Sequence, residues 1–335
     1  MKIAVDAMGG DYAPRAVIKG AKEAFAKFGI DIILVGRKDD IVREFGGSVP
    51  SHFQIQPADE VIGMDEPAAV SVRKKRNSSV CVGVDLMKSK QADAFVSAGN
   101  TGAVVCAATL GLGLLEGVER PGIGLILPTL KHPAFIIDVG ANIDPKPLHL
   151  LQYGIMGYAY LKYVFSRENI TVGLLNIGEE ETKGTDVLKD TYQLLEKSQL
   201  DFVGNIEAKD VFSGKCDVIV CDGFVGNIAI KVSEGVGEVV GELLRREIKR
   251  DFLAKLGIFF VKRSLRRFKK TLDYSEYGGA PLLGIDGVVI IGHGRSSPRA
   301  IMNAIRVAKE EVERSVNERI VEEISRSSFD AQTKV

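Results

Sequence analysis

Residues 93–104 read DAFVSAGNTGAV, and residues 217–228 read DVIVCDGFVGNI. Asp93 matches Asp217 in register, Val96 matches Val220, Gly99 matches Gly223 and Gly102 matches Gly226. Each stretch runs from an apolar strand through a glycine corner into a helix start. The pattern is the unit of a parallel α/β sheet, in which a strand apolar on both faces is buried between helix layers. Two origins stay open for the echo. It is either shared α/β grammar or an old duplication that sets two equivalent corners across one cleft.

The rest of the chain alternates in the same way. KIAVDA, DIILVG, IGLILPT, AFIIDVG, TVGLLNIG, DFVGNI and GVVIIGHG read as further strands. Helix patterns fall at Pro14–Lys27, Val80–Lys90, from about Asn100, Pro147–Phe165, Asp186–Lys197, Asn227–Arg250 and Pro298–Arg326. This alternation predicts a three-layer α/β/α sandwich on a mixed, mostly parallel sheet. No Pro/Ser-rich linker divides the 335 residues, so one domain is expected.

Composition narrows the function. Lys plus Arg equals Asp plus Glu at 44 each, so nothing global favours nucleic acid. Cys81, Cys106, Cys216 and Cys221 lie in or beside apolar runs at no zinc spacing, and read as buried reduced thiols of a cytoplasmic protein. The N-terminus lacks a signal-peptide core, and the longest apolar run, Thr101–Leu115, is too short to span a bilayer.

The glycine corners are candidate anion seats. A helix's first turn has unpaired N–H groups at the positive end of its dipole. Glycine admits a ligand close to that backbone. Ser97, Gly99, Asn100, Thr101 and Gly102 make one such corner, and Gly9, Gly10 and Asp11 another. Asp138 with Asn142, Asp222 with Gly226 and Asn227, and the corner around His293 make the others. Each also reads as a plain turn or cap. His293, between two glycines, is the one histidine of the four well placed for catalysis, and Lys183 stands on a polar loop as a candidate oxyanion donor. P-loop, dinucleotide and nucleophile-elbow patterns are missing. No metal or cofactor is expected. Anion seats without a protein nucleophile suit a reaction in which phosphate itself attacks.

Residues 245–270 differ from the rest, with 11 basic and two acidic side chains. Phe252, Leu253, Leu256, Phe259 and Phe260 recur at helical spacing beside Lys262, Arg263, Arg266 and Arg267. A packed helical hairpin, a membrane-surface contact and a dock for an acidic protein are all open.

VDAMGGD (5–11), SAGNTGA (97–103), DVGAN (138–142), GLLNIGEE (173–180), GNIEAKD (204–210), CDGFVGN (221–227) and YGGAPLLG (277–284) follow one another in order. Together they resemble the bacterial phosphate acyltransferase (PlsX) family. Where that family often carries His, this chain has Tyr12. The resemblance implies an isocitrate/isopropylmalate-dehydrogenase-like fold of two intertwined, pseudo-symmetric lobes. These would span about residues 1–100 plus 285–335, and about 101–284. It also implies transfer of a long-chain acyl group from acyl carrier protein (ACP) to inorganic phosphate, within phospholipid synthesis. A homodimer lying peripherally on the inner face of the membrane goes with it. The alternatives are a non-catalytic ACP/membrane scaffold and a phosphate acetyltransferase-like enzyme using acyl-CoA. In the expected mechanism the Asn100–Thr101 corner and Asn227 hold phosphate. Lys183 or backbone donors steady the oxyanion, and His293 protonates the leaving thiolate.

Overall fold

The computed structural model describes residues 1–250, 261, 263, 264 and 278–333. Of the basic segment's named residues, Phe252, Leu253, Leu256, Phe259, Phe260, Lys262, Arg266 and Arg267 lie outside the described residues, while Arg263 is exposed.

Eleven strands form one sheet in the order β3-β2-β1-β4-β11-β10-β5-β6-β9-β7-β8. They are β1 (Lys2–Asp6), β2 (Asp31–Gly36), β3 (Phe53–Pro57), β4 (Ala94–Ser97), β5 (Gly122–Leu127), β6 (Ala134–Ile137), β7 (Thr171–Leu175), β8 (Asp201–Ile206), β9 (Val218–Val220), β10 (Ala280–Leu283) and β11 (Val288–Ile291). Pairings from β3 to β11 and from β6 to β8 are parallel. Between them, β10 runs antiparallel to β11 and β5, and β5 antiparallel to β6. The two parallel halves therefore point in opposite directions and meet at β10 and β5.

Helices α1 (Arg15–Phe28), α2 (Lys38–Glu44), α3 (Ala68–Lys74), α4 (Ser79–Lys88), α5 (Thr101–Gly111), α6 (Pro147–Val164), α7 (Asp186–Lys197), α8 (Gly223–Arg250), α9 (Pro298–Glu313) and α10 (Val316–Thr333) accompany the sheet. Alternation along each strand feeds two faces. Ile3, Val5, Ala94 and Val96 pack with Val17, Ile18 and Ile305 of α1 and α9. Ala4 and Phe95 pack on the other face with Val84, Val104 and Ala107 of α4 and α5. In the second half, Phe135 and Val218 meet Tyr153, Met156 and Tyr160 of α6. On that half's opposite face Leu127, Ile136, Ile206 and Ile219 form a cluster with no helix core of its own, and Ile230 of α8 leans on it. Each fully buried Ile or Leu contributes roughly 1.5–3 kcal/mol.

The echoed stretches take equivalent roles. Asp93 accepts the N–H of Lys2, the first residue of β1, at 2.7 Å. Asp217 accepts that of Thr171, the first residue of β7, at 3.0 Å. The helix expected over Pro298–Arg326 is two helices, broken at Ser315, whose φ is +50°. The expected strands are all present. Strands β3 and β10 were not expected, nor were helices α2 and α3. Cys81, Cys216 and Cys221 are buried free thiols, and Cys106 is half-buried.

Candidate active site

The corners after β1 and β4 are built as one unit. Asp6, at the end of β1, is 1% exposed. Its Oδ1 accepts the Met8 N–H and its Oδ2 accepts the Ser97 hydroxyl at 2.6 Å. Ser97 in turn accepts the Gly99 N–H. Burial pushes the Asp6 carboxyl up, while Ser79, Ser97, Met8 and Gly9 pull against it. A Cβ on Gly9 would lie 2.6 Å from Asp6 Oδ2 and 2.7 Å from the Gly99 nitrogen. Gly10 holds φ at +95°, which lets the Asp11 N–H reach the Gly294 carbonyl at 2.8 Å. Gly9, Gly10, Ser97 and Gly99 thus stitch strand ends together.

Asn100 caps α5. Its Oδ1 accepts the Ala103 N–H, and its Nδ2 donates to the carbonyls of Gly63, Met64 and Glu66. Its amide is spent on the protein, so the side chain shapes the seat rather than filling it. The Gly63–Glu66 loop is braced by Glu66, which accepts from Lys75, Ser71 and the Gly63 N–H. The Lys75 hydrogen bond leads in holding the Glu66 carboxyl down at about 2. With the Ala103 and Val104 N–H groups taken by Asn100, those of Thr101 and Gly102 have no partner among the described residues. Both residues are exposed.

The corners after β6 and β9 form the second unit. Asp138 is fully buried. It accepts the N–H groups of Ile123, Gly140, Ala141 and Asn142. Burial pushes its carboxyl up and these four donors oppose that. Asn142 donates to the Pro121 carbonyl and the Tyr153 hydroxyl. Asp222 accepts from Phe224 and Val225 at the start of α8. Gly226 fits where a Cβ would lie 2.0 Å from the Asp138 carbonyl oxygen. Asp138, Asn142, Asp222 and Gly226 are therefore framework, with the three polar side chains spent on backbone and on the Tyr153 hydroxyl. Asn227, one residue on, lies over Gly140.

The two units and the corner after β11 line one cavity of about 660 Å³. It brings together Asp11, Asn100, Thr101 and Gly102 from the first unit, Asn227 from α8, and His293. His293 Nδ1 accepts the Arg295 N–H at 3.1 Å, which puts a neutral ring's proton on Nε2. Lys183 does not join them. It stands exposed on the β7–α7 loop, where Asn176 Nδ2 holds its carbonyl and its own N–H meets Glu180. Two cations that sequence reading passed over are Lys231 and Arg295, the latter 3.4 Å from Glu238. A signal for Lys231 existed, because it lies four residues after Asn227 on the same helix face.

A family model described as "Fatty acid synthesis protein" matches residues 1–319. The chain belongs to that family. The fatty acid synthesis family's curated members include "Phosphate acyltransferase" of Pelotomaculum thermopropionicum, 49% identical over 332 residues, covering 99% of this chain and 96% of that one. The same name is borne by a protein of Desulfitobacterium hafniense, 49% identical and covering 97% and 98%. Among solved structures, a phosphotransacetylase from Streptococcus pyogenes superposes with a TM-score of 0.63 at 17% identity, covering 93% and 94%. A branched-chain phosphotransacylase from Enterococcus faecalis gives 0.57 at 12%, covering 94% and 99%. The last two establish the fold, which is the mixed, mostly parallel α/β class expected from sequence.

Proposed function

We propose that this member of the family is a phosphate acyltransferase that moves a long-chain acyl group from acyl-ACP to inorganic phosphate. The observation that carries the reading is the shared cavity. There the two unpartnered N–H groups opening α5 join Asn227 and Lys231 of α8 and His293, while Asp6 is spent on the Ser97 hydroxyl and the Met8 N–H and Asp138 on backbone. A dianion suits those donors. The relatives' shared name supports the same chemistry.

A phosphate oxygen attacks the thioester carbonyl, forming a C–O bond and a tetrahedral oxyanion. Collapse breaks the C–S bond and gives acyl phosphate. The departing thiolate takes up the proton released as hydrogen phosphate becomes acyl phosphate, and the neutral His293 Nε2–H steadies the sulfur by a hydrogen bond. Phosphate near neutral pH is already partly dianionic, so no strong general base is required. Asn227 and Lys231 steady the oxyanion in place of Lys183.

The partners follow from α8. Val232, Val236, Val239, Val240 and Leu243 are each more than half exposed along it. A second copy of the chain suits that face, giving a homodimer. The exposed Arg245, Arg246, Lys249 and Arg250 at its end suit acidic ACP or an anionic lipid surface. Among the described residues no helix is long and apolar enough to cross a membrane. The test is acyl phosphate formation from palmitoyl-ACP and phosphate by the purified protein, repeated with palmitoyl-CoA. Product that saturates in phosphate and prefers ACP supports the reading. ACP and vesicle binding without product would leave only the scaffold.

A further inference from the structure

The cavity is not polar throughout, and its apolar part has a structural origin. On one face of β5, Ile123, Leu125 and Leu127 project at alternate positions. Ile123 belongs to the core packed by α4 and α5, and Leu127 to the cluster of the second half. Leu125 stands at the seam between them and is the one residue of β5 left half-buried. Val139 touches both clusters and is also only partly buried, and Ile230 of α8 overhangs from the second. All three line the cavity that holds the Thr101–Gly102 seat. An interior strand of an eleven-stranded sheet would ordinarily be covered on both faces. Here the apolar seam is open and continuous with the anion seat, which is the arrangement of a small-ligand site rather than of a finished core.

We propose that this seam, floored by Leu125 and Val139 and roofed by Ile230, receives the acyl chain and sets its length. The inference rests on the acyl-transfer reading above. With the thioester carbonyl at the anion seat, the alkyl tail runs across β5 between the two clusters. The cavity lining that β5 and the turn after β6 supply, Ile123, Leu125, Val139 and Gly140, is uncharged. Side chains at 125 and 230 then determine how many methylenes fit.

The test measures kcat/KM for hexadecanoyl- and octanoyl-ACP in the unaltered protein, Leu125→Phe and Ile230→Phe. Each added ring displaces about three methylenes, at roughly 0.8 kcal/mol apiece. The hexadecanoyl-to-octanoyl ratio should fall roughly 50-fold, with the KM for phosphate unmoved. Position 230 is half-exposed on α8, so Ile230→Phe covers the case in which Leu125→Phe misfolds. An unchanged ratio in folded Ile230→Phe, beside an active parent protein, overturns the seam as the chain site. An inactive parent protein overturns the acyl-transfer reading, and this inference falls with it.

Discussion

The Ser97 hydroxyl donates to Asp6 Oδ2 at 2.6 Å across 91 residues of sequence. That bond locks the end of β1 to the corner that presents the anion seat. Ser97→Ala removes a donor from a buried carboxyl and an acceptor from the Gly99 N–H. Destabilisation of about 1–3 kcal/mol is expected, read by urea unfolding, together with a raised KM for phosphate.

Thr101 is the first residue of α5, and Asn100 before it sits at ψ 111°. Proline is compatible with both positions. Thr101→Pro therefore deletes the Thr101 N–H and hydroxyl while leaving the helix intact. The KM for phosphate should rise roughly 10- to 100-fold, since hydrogen bonds to a charged ligand are worth about 1.5–3 kcal/mol. The melting temperature should stay within a few degrees. An unmoved KM would place phosphate elsewhere.

His293 is asked for little, because a thiol of pKa about 8.5 leaves readily as thiolate. His293→Ala should lower kcat by about tenfold rather than abolish it. His293→Gln, which keeps an N–H donor near Nε2, should recover part of the loss. A thousandfold loss in steady-state assays would show that the histidine does more than hydrogen-bond the leaving sulfur.

Gly226→Ala places a methyl group 2.0 Å from the Asp138 carbonyl, which is backbone and cannot swing aside. A loss of about 3 kcal/mol is expected by thermal or urea unfolding. Gly235→Ala on the same helix, with open space around it, is the control and should be neutral or slightly stabilising.

Glu311 on α9 is buried beside the Tyr160 hydroxyl, with Glu310 and Arg306 near the pair. Its Oε1 has no hydrogen-bond partner. Burial pushes its carboxyl up to about 8, against an ordinary 4.5. Between those values the folded chain holds a proton that the unfolded chain has released. Stability from this group is therefore full below pH 4.5 and is lost as pH rises toward 8, by on the order of 1 kcal/mol per pH unit. Glu311→Gln should flatten that decline in urea titrations run from pH 5.5 to 8.5. A decline of equal slope in both proteins would remove Glu311 as its source.

The strands legible in the sequence were those apolar on both faces, such as DIILVG and AFIIDVG. Strand β3 (FQIQP) escaped because it is a half-exposed edge strand carrying a proline. Strand β10 (APLL) escaped because it is four residues long, follows two glycines and pairs antiparallel. The break at Ser315 carries no Gly or Pro to announce it. At the site, the corners were legible as motifs, but the use of each side chain was not. Asn100, Asp138 and Asn142 have the chemistry of ligands, and only their hydrogen bonds show that backbone claims them. Lys183 drew notice as a charge on a loop, whereas Lys231 was hidden in a helix whose facing was set by packing.

Strand β11 lies between β4 and β10, although nearly two hundred residues separate it in sequence from β4. It also delivers His293 to the cavity. A ribosome making this chain therefore finishes both halves of the sheet before it supplies the strand that joins them. The site cannot assemble until residues 288–293 have emerged. A nascent chain that stops short of β11 therefore lacks the corner that brings His293 to the cavity and cannot work as the finished fold does.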